Sequence, residues 1–143
     1  MIKSSSGELR RFLATSSIND NAVVVWDVAL ETAIALRRGI TGVVKVSWSP
    51  SGAHLCSTST SGEVRIWETR TWTCQLWGKL GGPCKTLTWS PNGKYLVFAA
   101  QEGCLLHCLE MGKASHLAKL VRTKDFRERY VRADSRDHSH TIA

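Results

Sequence analysis

The phrase Trp48-Ser49-Pro50-Ser51-Gly52 returns as Trp89-Ser90-Pro91-Asn92-Gly93, a step of 41 from position 48 to position 89. The same step leads from Trp26-Asp27 to Trp67-Glu68. Other landmarks keep this register: Val46 maps onto Leu87, Leu55 onto Leu96 and Gly62 onto Gly103, and Cys108 takes the Trp67 position in the third copy. A fixed period constrains the fold more than composition does. One small supersecondary unit is used repeatedly, and each copy buries its apolar face only against its neighbours.

The unit itself reads as strands. Val44, Val46 and Trp48 alternate with Lys45 and Ser47, the period of two expected of a half-buried strand. Pro50 and Gly52 then supply the fixed φ and the permissive backbone of a tight turn, so a hairpin follows with its return strand over 55–58. A turn over 59–62, a third strand carrying Val64, Ile66 and Trp67, and a fourth over 73–77 complete the copy. The pattern recurs as strands over 84–89, 95–99, 104–108 and 116–121. Upstream, 12–15, 23–26 and 33–36 supply only three strands, so the chain is expected to start inside a unit.

Copies of about 40 residues that end in Trp-Asp or Trp-Glu resemble the WD40 repeat, in which each copy makes a four-stranded propeller blade. The resemblance implies an all-β fold, a partial WD40 β-propeller of two complete blades and one incomplete blade. Trp26, Asp27, Trp48, Pro50, Gly52, Trp67, Trp89, Pro91 and Gly93 would be its blade-building residues. Propeller closure takes roughly 4 to 8 blades, and at most three are present here. The chain is therefore expected to be a fragment of a larger propeller, an incomplete gene product or a piece completed by other chains. Its two broken ends would expose apolar strand faces and make it a poor folder alone.

Departures from the average WD40 pattern are informative. The Gly-His dipeptide expected before the first strand is replaced by Arg38-Gly39 and by Lys79-Leu80. Of the turn acids, Asp20 fits, Ser61 does not and Glu102 fits approximately. The hydrogen-bond tetrad linking His, Asp, Ser or Thr and Trp is thus expected to be missing or degraded, leaving packing to hold the blades. Val25-Trp26-Asp27, Arg65-Ile66-Trp67-Glu68, Trp72-Thr73-Cys74, Trp77 and the stretch from Thr88 to Lys94 resemble WD-repeat nucleoporins, over about residues 6–109. That resemblance implies a scaffold of the nuclear pore complex at the nuclear envelope, held by a membrane nucleoporin and supporting nucleocytoplasmic transport. The repeat alone favours the alternative, a generic WD40 adaptor, for example in a ubiquitin ligase or an RNA-processing assembly. Trp72 and Trp77 flank an outer strand where a blade has no need of two indoles. They are candidates for a partner contact, or for capping the apolar face of their own blade.

Composition narrows the remaining classes. No apolar run approaches the roughly 18 residues of a membrane helix, and Met1-Ile2-Lys3-Ser4 opens no signal-peptide core. Cys56, Cys74, Cys84, Cys104 and Cys108 are odd in number and fall on strands, which predicts reduced thiols in a cytosolic or nuclear setting. Residues 111–143 carry 8 basic and 4 acidic side chains, which is +4 of the net +7. Arg122, Lys124, Arg127, Arg129, Arg132 and Arg136 could draw an acidic partner, but Asp125, Glu128, Asp134 and Asp137 dilute the field, so a solvated tail is expected rather than nucleic-acid binding. Residues 1–110 are read as the propeller fragment, and 111–143 as a last outer strand and a poorly ordered basic tail.

Catalytic chemistry finds no foothold. Cys104 and Cys108 share one face of their predicted strand while His107 points to the other, which suits core packing better than a metal. His138 and His140 sit in the polar terminus. The loops at Ser4 to Gly7 and Leu80 to Pro83 lack the strand, Lys and helix context of a phosphate cradle. A non-enzymatic protein without cofactor or metal is expected.

Overall fold

The structure, a computed structural model, describes residues 2–3, 9–101, 105–112 and 118–125. Every regular element among them is a strand. β1 (Ile2–Lys3) and β2 (Leu9–Arg10) form a short antiparallel ribbon. β3 (Phe12–Ser16), β4 (Ala22–Asp27) and β5 (Thr32–Arg37) make the first sheet. The second holds β6 (Val43–Trp48), β7 (His54–Ser59), β8 (Glu63–Glu68) and β9 (Thr73–Lys79). The third holds β10 (Cys84–Trp89), β11 (Tyr95–Ala100), β12 (Leu105–Met111) and β13 (Ala118–Asp125). All neighbours are consecutive and antiparallel, so each sheet is a meander and a partial propeller results.

The repeated phrase works as a turn. Gly52 and Gly93 adopt φ of 75° and 69°, where a Cβ would be strained, and their N–H groups donate to the Ser49 and Ser90 carbonyls at 2.9 and 2.8 Å. The Ser49 and Ser90 hydroxyls in turn accept from the backbone N–H of His54 and Tyr95 at 3.0 and 2.9 Å. Gly62, at φ 85°, is required twice over, because a Cβ there would lie 2.6 Å from the carbonyl oxygens of Leu80 and Gly82.

Because side chains alternate along a strand, each sheet has an upstream face, turned toward the preceding sheet, and a downstream face, turned toward the next. Val23, Val25 and Leu36 on the downstream face of the first sheet pack on Leu55 and Trp67 of the second. Cys56, Val64 and Ile66 of the second sheet pack on Leu96, Phe98 and Leu109 of the third. The core is therefore two layers between three sheets.

Pairing corrects the sequence register at one place. Leu55 pairs with Trp67, and its counterpart Leu96 pairs with Leu109, so Leu109 rather than Cys108 takes the Trp67 position. The cause is length: residues 101–104 separate β11 from β12, whereas only 60–62 separate β7 from β8. The strand expected over 104–108 is accordingly Leu105–Met111, and that expected over 116–121 is Ala118–Asp125, paired along β12. Gly103, Glu102 and Cys104 lie outside the described residues, as do His116, Arg127, Arg129, Arg132, Arg136, His138 and His140.

The hydrogen-bond tetrad is degraded but not gone. The Trp67 indole N–H donates to Ser57 Oγ at 2.9 Å, and Trp26 donates to Thr15 Oγ1 at 3.0 Å. Where the acid is missing, Ser61 Oγ lies 3.0 Å from Thr41 Oγ1 and 2.9 Å from Ser59 Oγ, which accepts the Glu63 N–H at 3.0 Å. Three hydroxyls thus replace a charge at this corner.

Candidate partner surface

Trp72 does not lie on β9 but in the turn before it, at φ 55°, with its N–H donating to the Glu68 carbonyl at 2.8 Å. A bulky side chain in the left-handed region is strained, by roughly 1–2 kcal/mol. What holds it is packing: its ring meets Phe12 and Trp48 edge-on, both at 6.2 Å, on the upstream side of the second sheet. Glu31, 41 positions earlier, takes φ 52° in the equivalent turn with its side chain exposed. Trp77 faces the other way. Its ring is 5.1 Å from Phe98 and 5.5 Å from His107 in the third sheet. The two candidate contact residues are thus not brought together; each touches a different neighbouring blade.

An aromatic series missed in the sequence links the blades. Trp48 stacks on Phe12 at 6.4 Å, and Trp89 stacks on His54 at 6.3 Å. The receiving rings are equivalent by register, since Phe12 pairs with Asp27, His54 with Glu68 and Tyr95 with Glu110. The 41- or 42-residue spacing of Phe12, His54 and Tyr95 was the available signal. Beside the second stack opens a cleft of about 370 Å³ lined by His54, Ile66, Glu68, Thr71, Thr73, Cys74 and Gln75. Glu68 is held in it by the Thr71 hydroxyl at 2.8 Å and Arg70 at 3.5 Å. Its buried counterpart Asp27 instead caps its turn, accepting from the N–H groups of Ala29 and Leu30 at 3.1 and 3.2 Å.

The titratable groups fit packing. Burial pushes the Cys56 thiol well up, helped by Cys84, and burial also raises Cys74 and Cys84. Raised thiols are poor nucleophiles. Burial lowers His107, which stacks on Phe98 at 5.3 Å. Among the described residues no group of three His, Cys, Asp or Glu could hold a metal, and no helix is long and apolar enough to cross a membrane.

Comparison with known proteins agrees with this architecture. Residues 37–68 match the family described as WD domain, G-beta repeat. Aladin of Arabidopsis thaliana is 29% identical over 98 residues, covering 67% of this chain and 22% of that protein. Ribosome biogenesis protein BOP1 of Rattus norvegicus is 36% identical over 64 residues, covering 44% of this chain and 9% of that protein. The chain therefore spans less than a quarter of either relative. Among solved structures, the Cps50 (Swd1) β-propeller domain of Myceliophteria thermophila superimposes with a TM-score of 0.64 at 18% identity, over 80% of this chain and 41% of that one. A chain of the mitotic checkpoint complex gives 0.65 at 22% identity, over 79% and 33%. Residues 37–68 are thus similar to a WD40 repeat, and the described sheets have the fold of part of a β-propeller.

Proposed function

We propose that this chain serves as a non-enzymatic scaffold of the nuclear pore complex, resembling Aladin and supporting nucleocytoplasmic transport at the nuclear envelope. The single observation that carries this reading is the 29% identity over 98 residues, which reaches far beyond the one repeat that the family description matches. The scaffold part is supported by the blade architecture, whose surface is made of antiparallel strands and the turns that join them. Nucleoporins, one of them a membrane nucleoporin, are the partners this reading calls for.

Trp72 and Trp77 then support the partner contact from behind, by fixing the second blade against its neighbours. The test is localisation of the tagged full-length protein in cells. A nuclear rim is expected, and a diffuse cytosolic signal overturns the reading. With alanine at both positions, lost abundance assigns the pair to packing; retained abundance with a lost rim assigns it to the contact.

A second reading, a generic WD40 adaptor in an RNA-processing or ubiquitin-ligase assembly, is favoured by the match to BOP1 at higher identity over a shorter stretch. Co-purification from cells separates the two readings, nucleoporins marking the first and their absence the second.

A further inference from the structure

Neighbouring sheets approach through their inner strands, β3 with β6 and β6 with β10, so β5 and β9 decide how the outer part of each gap is filled. Between the second and third sheets β9 supplies Trp77, whose ring lies 5.1 Å from Phe98. Between the first and second sheets, one step of 41 earlier, β5 supplies only Leu36. Two aliphatic side chains are left facing the outer part of that gap. Ile34 shares the face of Leu36, turned toward the second sheet, and is 41% exposed; Leu76 shares the face of Cys74, turned toward the first, and is 50% exposed. Both sheets that bound this groove are in place, so the exposure belongs to the gap between them. One end of the groove is cationic. Arg38 lines a recess there with Leu36, Arg65 and Trp67, and burial raises the Cys74 thiol against the opposing pull of Arg65 and Arg38. Arg37 is paired with Asp20 at 3.2 Å and Arg65 with Glu63 at 3.1 Å, whereas Arg38 makes no ion pair among the described residues.

We propose that this groove docks an extended peptide segment of a protein partner, which seats an aliphatic side chain between Ile34 and Leu76 and sets a carboxylate on Arg38. An aliphatic side chain placed there removes apolar surface from water on both walls, as Trp77 already does in the next gap. Charge complementarity selects the acid. A guanidinium without an ion pair takes a carboxylate in bidentate geometry, while a basic segment is repelled by Arg38 and by a chain of net charge +7. The spacing of the two features sets the pattern of the ligand. Arg38 stands beyond Ile34 by about 13 Å of extended chain at roughly 3.3 Å per residue, and its long side chain can reach back, so the acid falls about two to four positions from the aliphatic residue. Side chains at even spacing share one face of an extended segment, so both can enter the groove together. The groove and its ligand chemistry are the same whether the chain serves the pore or another assembly.

A phage-displayed library of random dodecapeptides, selected against the immobilised full chain, tests this. The enriched peptides should join an aliphatic residue to Asp or Glu at that spacing. Synthetic copies, followed by fluorescence polarisation, should bind Leu76→Ser roughly tenfold or more weaker than wild type, as expected when an aliphatic contact is lost. Ile34→Ser, on the opposite wall, should match it. Arg38→Glu keeps both walls and inverts the charge, so a selection on that variant should enrich Lys or Arg in place of the acid. All three positions are exposed, and thermal melts that coincide with wild type verify that the variants keep the fold. A wild-type selection that enriches no such pattern overturns the proposal. So does a loss of affinity at one wall alone, or an acidic preference that survives in Arg38→Glu.

Discussion

Trp26 and Trp67 sit at the same place in consecutive blades, and each donates its indole N–H to a hydroxyl one strand away, at 3.0 and 2.9 Å. Locally they are the same residue in the same bond. Yet Trp67 is sealed by the first sheet, while Trp26 looks out from it. What differs is the presence of a neighbour. In a stacked repeat the stabilisation of a side chain lies in the interface between copies more than in the copy that carries it.

The largest expected effect follows from that contrast. Trp67→Ala should cost about 3–5 kcal/mol, the range for truncating a large buried aromatic, because Val23, Val25 and Leu36 lose their partner. Trp26→Ala should cost under about 1 kcal/mol, since the half-open indole leaves no sealed cavity. Denaturant midpoints of the two variants, measured at a concentration where the chain is monomeric, decide the matter. Equal costs would break the comparison, and would mean that something already covers the first sheet.

Much of this architecture is legible in the amino-acid sequence. Period-2 patterning and the repeated Trp-Ser-Pro-x-Gly turn place nearly every strand, because both are local consequences of alternating burial and of a turn that needs Gly52 or Gly93 at positive φ. Register drifted where a loop changed length, so that Leu109 was overlooked in favour of Cys108; a fixed offset cannot see a single inserted residue. The direction of Trp72 and Trp77 was not legible either. Whether an aromatic on or beside an outer strand faces a partner or a neighbouring blade depends on inter-sheet packing, to which a one-dimensional pattern is blind. The stack of Trp89 on His54 hid for the same reason, since His54 looks polar in sequence and acts here as a ring.

A second pair sharpens the comparison at the backbone. Glu31 and Trp72 hold the same left-handed turn position in the first and second sheets, with φ of 52° and 55°. Glycine relieves that strain but costs unfolded-state entropy. Glu31→Gly should therefore stabilise slightly, by about 0.5 kcal/mol, as relief outweighs entropy where no packing is lost. Trp72→Gly should destabilise by about 1–2 kcal/mol, because the edge-on contacts with Phe12 and Trp48 disappear. The readout is opposite signs from one backbone change. If both variants stabilise, Trp72 contributes nothing to blade packing and its assignment to a partner contact gains.

A third contrast, of about 1 kcal/mol, sets the covered downstream face of the second sheet against that of the third. Cys56 is fully buried against the third sheet, and burial, with Cys84 nearby, raises its thiol well above the ordinary range. Its pKa is thus higher folded than unfolded, so the folded chain retains a proton that the unfolded chain releases. The resulting stability is intact below the ordinary thiol pKa, near 8.5, and is lost as pH rises above it, with a slope approaching about 1.4 kcal/mol per pH unit. Between pH 8 and pH 9.5, wild type should lose about 1 kcal/mol more than Cys56→Ala does. Equal losses would remove Cys56 as the source. Alkylation offers an independent view: Cys108, half-buried on the downstream face of the third sheet, should react in the native monomer, whereas Cys56 should react only at the rate of unfolding. Comparable rates for the two thiols would show that the second and third sheets part readily, and that the inner layer of this arc is no more closed than its ends.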